Sequence, residues 1–150
     1  MKGQKLLLIS GTIITSNLLI SPALCQCSFS STSVIFGSYD VFSNTSTTST
    51  GTITYDCSLA SPTPTLITID LSTGNSAAYN ARELRSINDA INYNLYLDAG
   101  GQFIWGNGTN SQHYTSSNLS GTVTIYGIIP ARQNVKVGNY TDSITATLNF

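Results

Sequence analysis

Apolar and polar residues alternate along most of the chain. In "GTITYDC", Ile53, Tyr55 and Cys57 fall on one face, with Thr52, Thr54 and Asp56 on the other. The same period returns in "TLITIDLS" (Ile67, Ile69, Leu71) and in "NYNLYLDAG" (Tyr93, Leu95, Leu97). "GTVTIYGII" sets Val123, Ile125 and Ile129 against Thr122, Thr124 and Tyr126. The final stretch, "DSITATLNF", sets Ile144, Ala146, Leu148 and Phe150 against Ser143, Thr145, Thr147 and Asn149. A period of two places alternate side chains on opposite faces, so each run predicts a strand of a sheet with one buried face.

Turn-forming clusters separate the runs: "FSNTSTTSTG", "SPTPT", "STGNS", "DAGGQ", "WGNGTNSQ" and "KVGNYTD". One departure is residues 81–90, "ARELRSINDA", whose spacing predicts a short helix. No internal repeat or linker divides the chain. Short strands joined by polar turns at this spacing predict an all-β sandwich of immunoglobulin-like type.

The first 25 residues do not fit that pattern and read as a secretory signal. Lys2 and Lys5 supply a positive start, "LLLISGTIITSNLLI" an apolar centre and "SPALC" the small residues of a cleavage region. Thr12, Thr15, Ser16 and Asn17 interrupt the segment, and no basic stop-transfer cluster follows, which argues against a membrane-spanning helix. Small residues permit a cut after Ala23 or after Cys25, and only the second removes Cys25. Residues 1–25 are therefore assigned to the signal and 26–150 to one domain.

Export changes the reading of the three cysteines, because an oxidising compartment favours an even number. A cut after Cys25 leaves Cys27 and Cys57. Joining them closes a loop of 30 residues, worth roughly 3–4 kcal/mol on the loop-entropy relation. A metal site lacks ligands: His113 stands alone, and the Cys-x-Cys has no second pair.

Charge is sparse. Beyond the signal, Arg82, Arg85, Arg132 and Lys136 face seven carboxylates, leaving no basic patch for nucleic acid or an anionic membrane. No nucleophile elbow, phosphate loop or zinc-protease motif is present, and the scattered acids read as turn and capping groups, so no enzyme activity and no cofactor is expected. Trp105, beside a glycine turn in "WGNG", reads either as a plug at one end of the core or as a sugar-stacking platform, with Tyr114 as a nearby loop aromatic. The four Asn-x-Ser/Thr sequons, at Asn44, Asn107, Asn118 and Asn139, matter only in a host that glycosylates them.

"FGSYDVFS", "STGTITYDCS", "NYNLYLD", "IWGNGT" and "TIYGIIPARQNVKVGNYTDSITATLNF", in that order, resemble the spore coat protein U domain. This is the subunit domain of Csu-type archaic chaperone–usher pili. The resemblance runs from Cys27 to Phe150 and is most specific from Tyr126 to Pro130 and from Gly138 to Asp142. It implies an immunoglobulin-like sandwich that lacks its last strand and is stapled by a Cys27–Cys57 disulfide. A periplasmic chaperone lends the missing strand, and an outer-membrane usher exchanges it for the N-terminal extension of another pilus subunit. On that reading Ile144, Ala146, Leu148 and Phe150 form the docking edge. Burial of about four donor side chains at roughly 1.5–3 kcal/mol each gives on the order of 6–12 kcal/mol before ordering costs.

Two departures bear on function. Ile128 stands where the family commonly has Arg after the Tyr-Gly pair. A cut after Cys25 leaves only Gln26 before Cys27, so the subunit accepts a strand but has none to donate, which implies a terminal or minor place in a fibre, or release as a coat-like protein. An earlier cut, near Ser16, frees "NLLISPALCQ" as a donor, but Pro22 breaks that run and Cys25 stays unpaired. The expected function is a non-enzymatic pilus or coat subunit that passes through the periplasm to the cell surface. The alternative is a stand-alone secreted carbohydrate- or surface-binding module that uses Trp105 and Tyr114.

Overall fold

The computed structural model describes residues 27–150. The expected signal, its cleavage site, Cys25 and the alternative donor segment lie outside the described residues.

The alternating runs form strands, as their period demands. One sheet has the order β1-β2-β8-β6, from β1 (Ser28–Ser31), β2 (Thr47–Asp56), β6 (Asn94–Tyr96) and β8 (Ser120–Ile129). A second has the order β7-β3-β9, from β3 (Ile67–Leu71), β7 (Tyr114–Ser116) and β9 (Ala146–Asn149). The pairs β1–β2, β2–β8, β6–β8, β3–β7 and β3–β9 are all antiparallel. The register of β2 on β8 runs unbroken from Thr47↔Ile129 to Asp56↔Ser120.

The faces predicted from alternation are the buried ones. Ile53, Tyr55, Cys57, Ile67, Ile69, Leu71, Tyr93, Leu95, Ile125 and Ile129 form one core between the sheets, joined by Ile91 and Trp105. Facing inner surfaces, antiparallel pairing and one shared core make this an all-β, immunoglobulin-like sandwich. Cys27 and Cys57 form a disulfide that ties the start of β1 to the end of β2.

Residues 81–90 are not a helix. Tyr79–Ala81 makes a single 3-10 turn, and β4 (Glu83–Arg85) pairs with β5 (Ala90–Asn92) in a hairpin. The reason is tertiary. Arg82 and Ile91 are both drawn into the interior, and Thr141 exchanges two backbone hydrogen bonds with Arg85, Arg85 N to Thr141 O at 2.8 Å and Thr141 N to Arg85 O at 3.0 Å. A helix would forfeit those bonds for a propensity advantage of only tenths of a kcal/mol per residue.

Candidate functional site

The two long flanks of the sandwich are finished in different ways. On one, residues 104–106 bridge the sheets: Trp105 N donates to Leu95 O on β6, while Leu71 N on β3 donates to Gly106 O. Gln112, just before β7, donates to Ile104 O and accepts from Gly106 N. The backbone of this flank is therefore paired from sheet to sheet.

Inside it lies a polar knot. Arg82 is 0% exposed; its Nη2 donates to Ser72 O and Trp105 O, both at 2.7 Å, its Nε to Ser72 O at 3.1 Å, and its Nη1 to Asn94 Oδ1 at 2.8 Å. The guanidinium also sits 5.3 Å from the centre of the Tyr79 ring. Burial lowers the Arg82 pKa, opposed by the neighbouring Tyr93, Tyr79 and Asp142. Carbonyl dipoles and one ring face thus hold a cation out of water.

Trp105 and Tyr114 belong to this sealed flank, and of the two readings of Trp105 the structure favours the core plug. Trp105 is 0% exposed and its indole N–H donates to Ile69 O at 2.8 Å. Tyr114 leans inward, its ring 6.2 Å from those of both Tyr55 and Trp105 and its hydroxyl 3.5 Å from that of Tyr55. The bond to Tyr55, followed by burial, raises its pKa. A fully buried indole offers no face to a sugar, so Trp105 is the core plug, and the half-buried Tyr114 packs against it. His113 lies beside Asp70 (Nδ1 to Oδ1, 3.5 Å), with no third metal-binding side chain in the group among the described residues.

The opposite flank is open. Its borders are β9 with the preceding residues 142–145 on one sheet, and β1 with residues 32–36 on the other. Between them runs a groove of about 170 Å3, floored by Ile53, Leu71, Leu84, Tyr93, Leu95 and Ile125 and walled by Val34, Phe36, Ile144 and Ala146. Along β9 the hydrogen bonds alternate. Ser72 N donates to Thr145 O, and Leu71, opposite Ala146, turns its own N–H the other way, to Gly106. Thr145, Thr147 and Asn149 therefore face β3, whereas the backbone groups of Ile144, Ala146 and Leu148 face the open side.

Of the four expected edge residues, the structure brings Ile144 and Ala146 together in the groove. Leu148 is half-buried opposite Ile69, further along the strand. Phe150 lies past the end of β9 and is exposed. The edge strand is also shorter than the alternation implied, because apart from the Ser72 N–Thr145 O bond side chains hold residues 142–145. Ser72 Oγ accepts from Thr145 N, and Asp142 Oδ1 accepts from Ser143 N and Asn75 N. Asp142 Oδ2 accepts from the Tyr93 hydroxyl at 2.7 Å, and burial together with that bond raises the Tyr93 pKa.

Val34, Phe36, Leu84 and Asp142 were missed as groove residues. "SVIF" has three consecutive apolar residues and so shows no period of two, though Val34 and Phe36, two apart, were a usable sign. The free volume of about 170 Å3 is close to that of an apolar cavity of about 150 Å3, which holds one benzene ring.

The family model for the Spore Coat Protein U domain matches residues 14–147. The chain belongs to the Spore Coat Protein U domain family. Protein U of Myxococcus xanthus is 31% identical over 106 residues, which cover 67% of this chain and 59% of that protein. The chain thus spans about three fifths of this relative's length. Among solved structures it resembles the chaperone–tip adhesion subunit pre-assembly complex, CsuC–CsuE, from the archaic chaperone–usher Csu pili of Acinetobacter baumannii. That likeness has a TM-score of 0.55 at 18% identity and covers 83% of this chain and 40% of the other. At that identity it speaks for the fold. Ile128 extends from β8 toward Gly101, where a Cβ would meet its Cδ1 at 2.8 Å, so it packs on the 98–101 turn.

Proposed function

We propose that this chain is a non-enzymatic structural subunit of a surface pilus or coat. It is exported to the periplasm, held there by a chaperone and assembled through an outer-membrane usher by strand exchange with other subunits. The observation that carries this reading is the one-sided closure of the sandwich. An apolar groove walled in part by Ile144 and Ala146 lies between two strand edges, and among the described residues the outward-facing backbone groups of Ala146 and Leu148 on β9 have no strand partner. A strand added there gains backbone hydrogen bonds from the edge and burial from the groove. The family membership and the fold shared with a chaperone-bound pilus subunit support it. A terminal or minor place in the fibre follows if the signal is cut after Cys25, which N-terminal sequencing of the exported protein reads directly.

The test is co-purification from the periplasm. Ala146→Pro removes a backbone N–H that faces the open side and leaves the ladder to β3 intact. Chaperone capture should fall to background while export continues. Capture at the wild-type level, or a wild-type chain that is monodisperse and stable by itself with the groove empty, would sink the strand-exchange reading. Leu148→Glu probes the neighbouring position with the same expected loss.

A further inference from the structure

Two glycines interrupt the inner face of the four-stranded sheet at one end of the groove. Ser49, Gly51, Ile53 and Tyr55 of β2 alternate inward, as do Val123, Ile125, Gly127 and Ile129 of β8, and Ser49 pairs with Gly127 while Gly51 pairs with Ile125. Glycine inside a strand gives up packing and marks a close approach by other atoms. Here those atoms are the chain's own. A Cβ on Gly51 would lie 2.8 Å from the Thr32 carbonyl oxygen and 2.9 Å from Val34 Cγ2. One on Gly127 would lie 2.7 Å from both Val34 Cγ1 and Phe36 Cζ.

Val34 and Phe36 thus enter the space between the sheets, and Phe36 sets its edge against the Tyr93 ring at 5.9 Å. Thr32 N donates to Thr52 O, and Ser49 Oγ to Ile35 O, but among the described residues no backbone–backbone bond ties residues 33–37 to another strand. The segment behaves as a partial internal filler that occupies inward positions a donor strand would otherwise fill. What remains is the 170 Å3 toward Ile53, Leu71 and Ala146, and Asp142 is the sole charged side chain lining it.

Building on the strand-acceptor reading, we propose that the groove selects a partner strand of one pattern. It carries a single bulky aliphatic side chain seated over Ile53, Leu71 and Ile125, small inward residues alongside Val34 and Phe36, and a Lys or Arg beside Asp142. Several bulky inward residues would have to evict Val34 and Phe36 from their glycine seat. The glycines, the residual volume and the lone carboxylate select one occupant, an extended segment of a partner protein with that chemistry.

Three synthetic peptides of roughly eight residues test this by the concentration at which each displaces the chaperone from the purified chaperone-bound, disulfide-bonded chain. The first has one inward Leu, inward Ala elsewhere and a terminal Lys; the second has Leu at every inward position; the third replaces the Lys of the first with Glu. The single-Leu peptide should bind about tenfold tighter than the all-Leu peptide. Phe36→Ala should narrow or reverse that ranking, because it empties the filled end. The Glu peptide should bind several-fold more weakly than its Lys counterpart, with the difference shrinking at high salt. An all-Leu peptide that binds the wild type more tightly, or no salt-sensitive Lys–Glu difference, overturns the selection pattern alone. Binding by none of the three overturns the strand-acceptor reading along with it. Should Phe36→Ala fail to fold, the wild-type rankings decide.

Discussion

Along the Trp105 flank, hydrogen bonds through residues 104–106 join β6 to β3, and a buried guanidinium gathers the carbonyls of Ser72 and Trp105. Along the Ile144–Ala146 flank, similar apolar floor residues meet backbone groups with nothing across from them. Both flanks contain aromatic side chains against the same core: Trp105 and Tyr114 on one, Phe36 and Tyr93 on the other. What separates them is whether the polar backbone is satisfied. A flank that satisfies its own donors and acceptors is finished, whereas an apolar groove beside an unpaired edge invites another strand.

The sharpest way to break this comparison is to make the same substitution on each side. Trp105→Ala removes a fully buried ring and strands the Ile69 carbonyl, so it should lower unfolding stability by about 3–5 kcal/mol. Phe36→Ala removes a half-buried ring bordering open volume, so about 1–2 kcal/mol is expected. Chemical denaturation of the two variants measures both. Equal losses would mean that the open flank is as fixed as the closed one.

Next in size is the disulfide, which holds β1, the outer border of the open flank. Replacing Cys27 and Cys57 together with Ser should cost roughly 3–4 kcal/mol from the unfolded chain's entropy. It should also loosen β1, whose four residues are all exposed and whose ladder is with β2 alone. Faster amide exchange in residues 28–32, without matching change around Trp105, would show that the staple serves the open side. Uniformly faster exchange would show only global destabilisation.

How far these flanks were legible in the sequence follows the same division. The inward residues of β2, β3 and β8 were readable because strict alternation is local, and Cys27 and Cys57 were readable as the even pair left by a cut after Cys25. Ile144 and Ala146 were legible from alternation as inward strand positions, while their place at an edge came from the family resemblance. Arg82 was not legible: an arginine in "ARELR" looks like a solvated helix face, and only contacts with Ser72, Asn94 and Trp105, distant in sequence, make it a core residue. Trp105 was ambiguous for the same reason, since the Ile69 carbonyl that fixes it lies 36 residues away. The seat under Val34 and Phe36 is written as two glycines, Gly51 and Gly127, whose meaning emerges only when pairing brings them side by side.

The smallest expected effect concerns acid. Asp98, which lies in the turn of the closed flank, is held below the usual carboxylate range chiefly by the Phe103 N–H, with help from Gln102. Asp89 joins the β4–β5 turn to the segment leading to the open edge, and the N–H groups of Lys136 and Ala90 hold it low in the same way. A carboxylate with a depressed folded-state pKa contributes stability that is fully present above its unfolded value, about 3.9, and fades as pH falls through the folded value. The thermal midpoint should therefore be flat from neutral pH to about pH 5 and decline below about pH 4. Asp98→Asn and Asp89→Asn should each flatten the acid limb by a small amount. If the flanks are independent, Asp89→Asn will also speed exchange near Thr141 and Ile144 and leave Trp105 unchanged, whereas Asp98→Asn will do neither. An acid limb unaltered by either variant would place the titrating groups elsewhere in the sandwich.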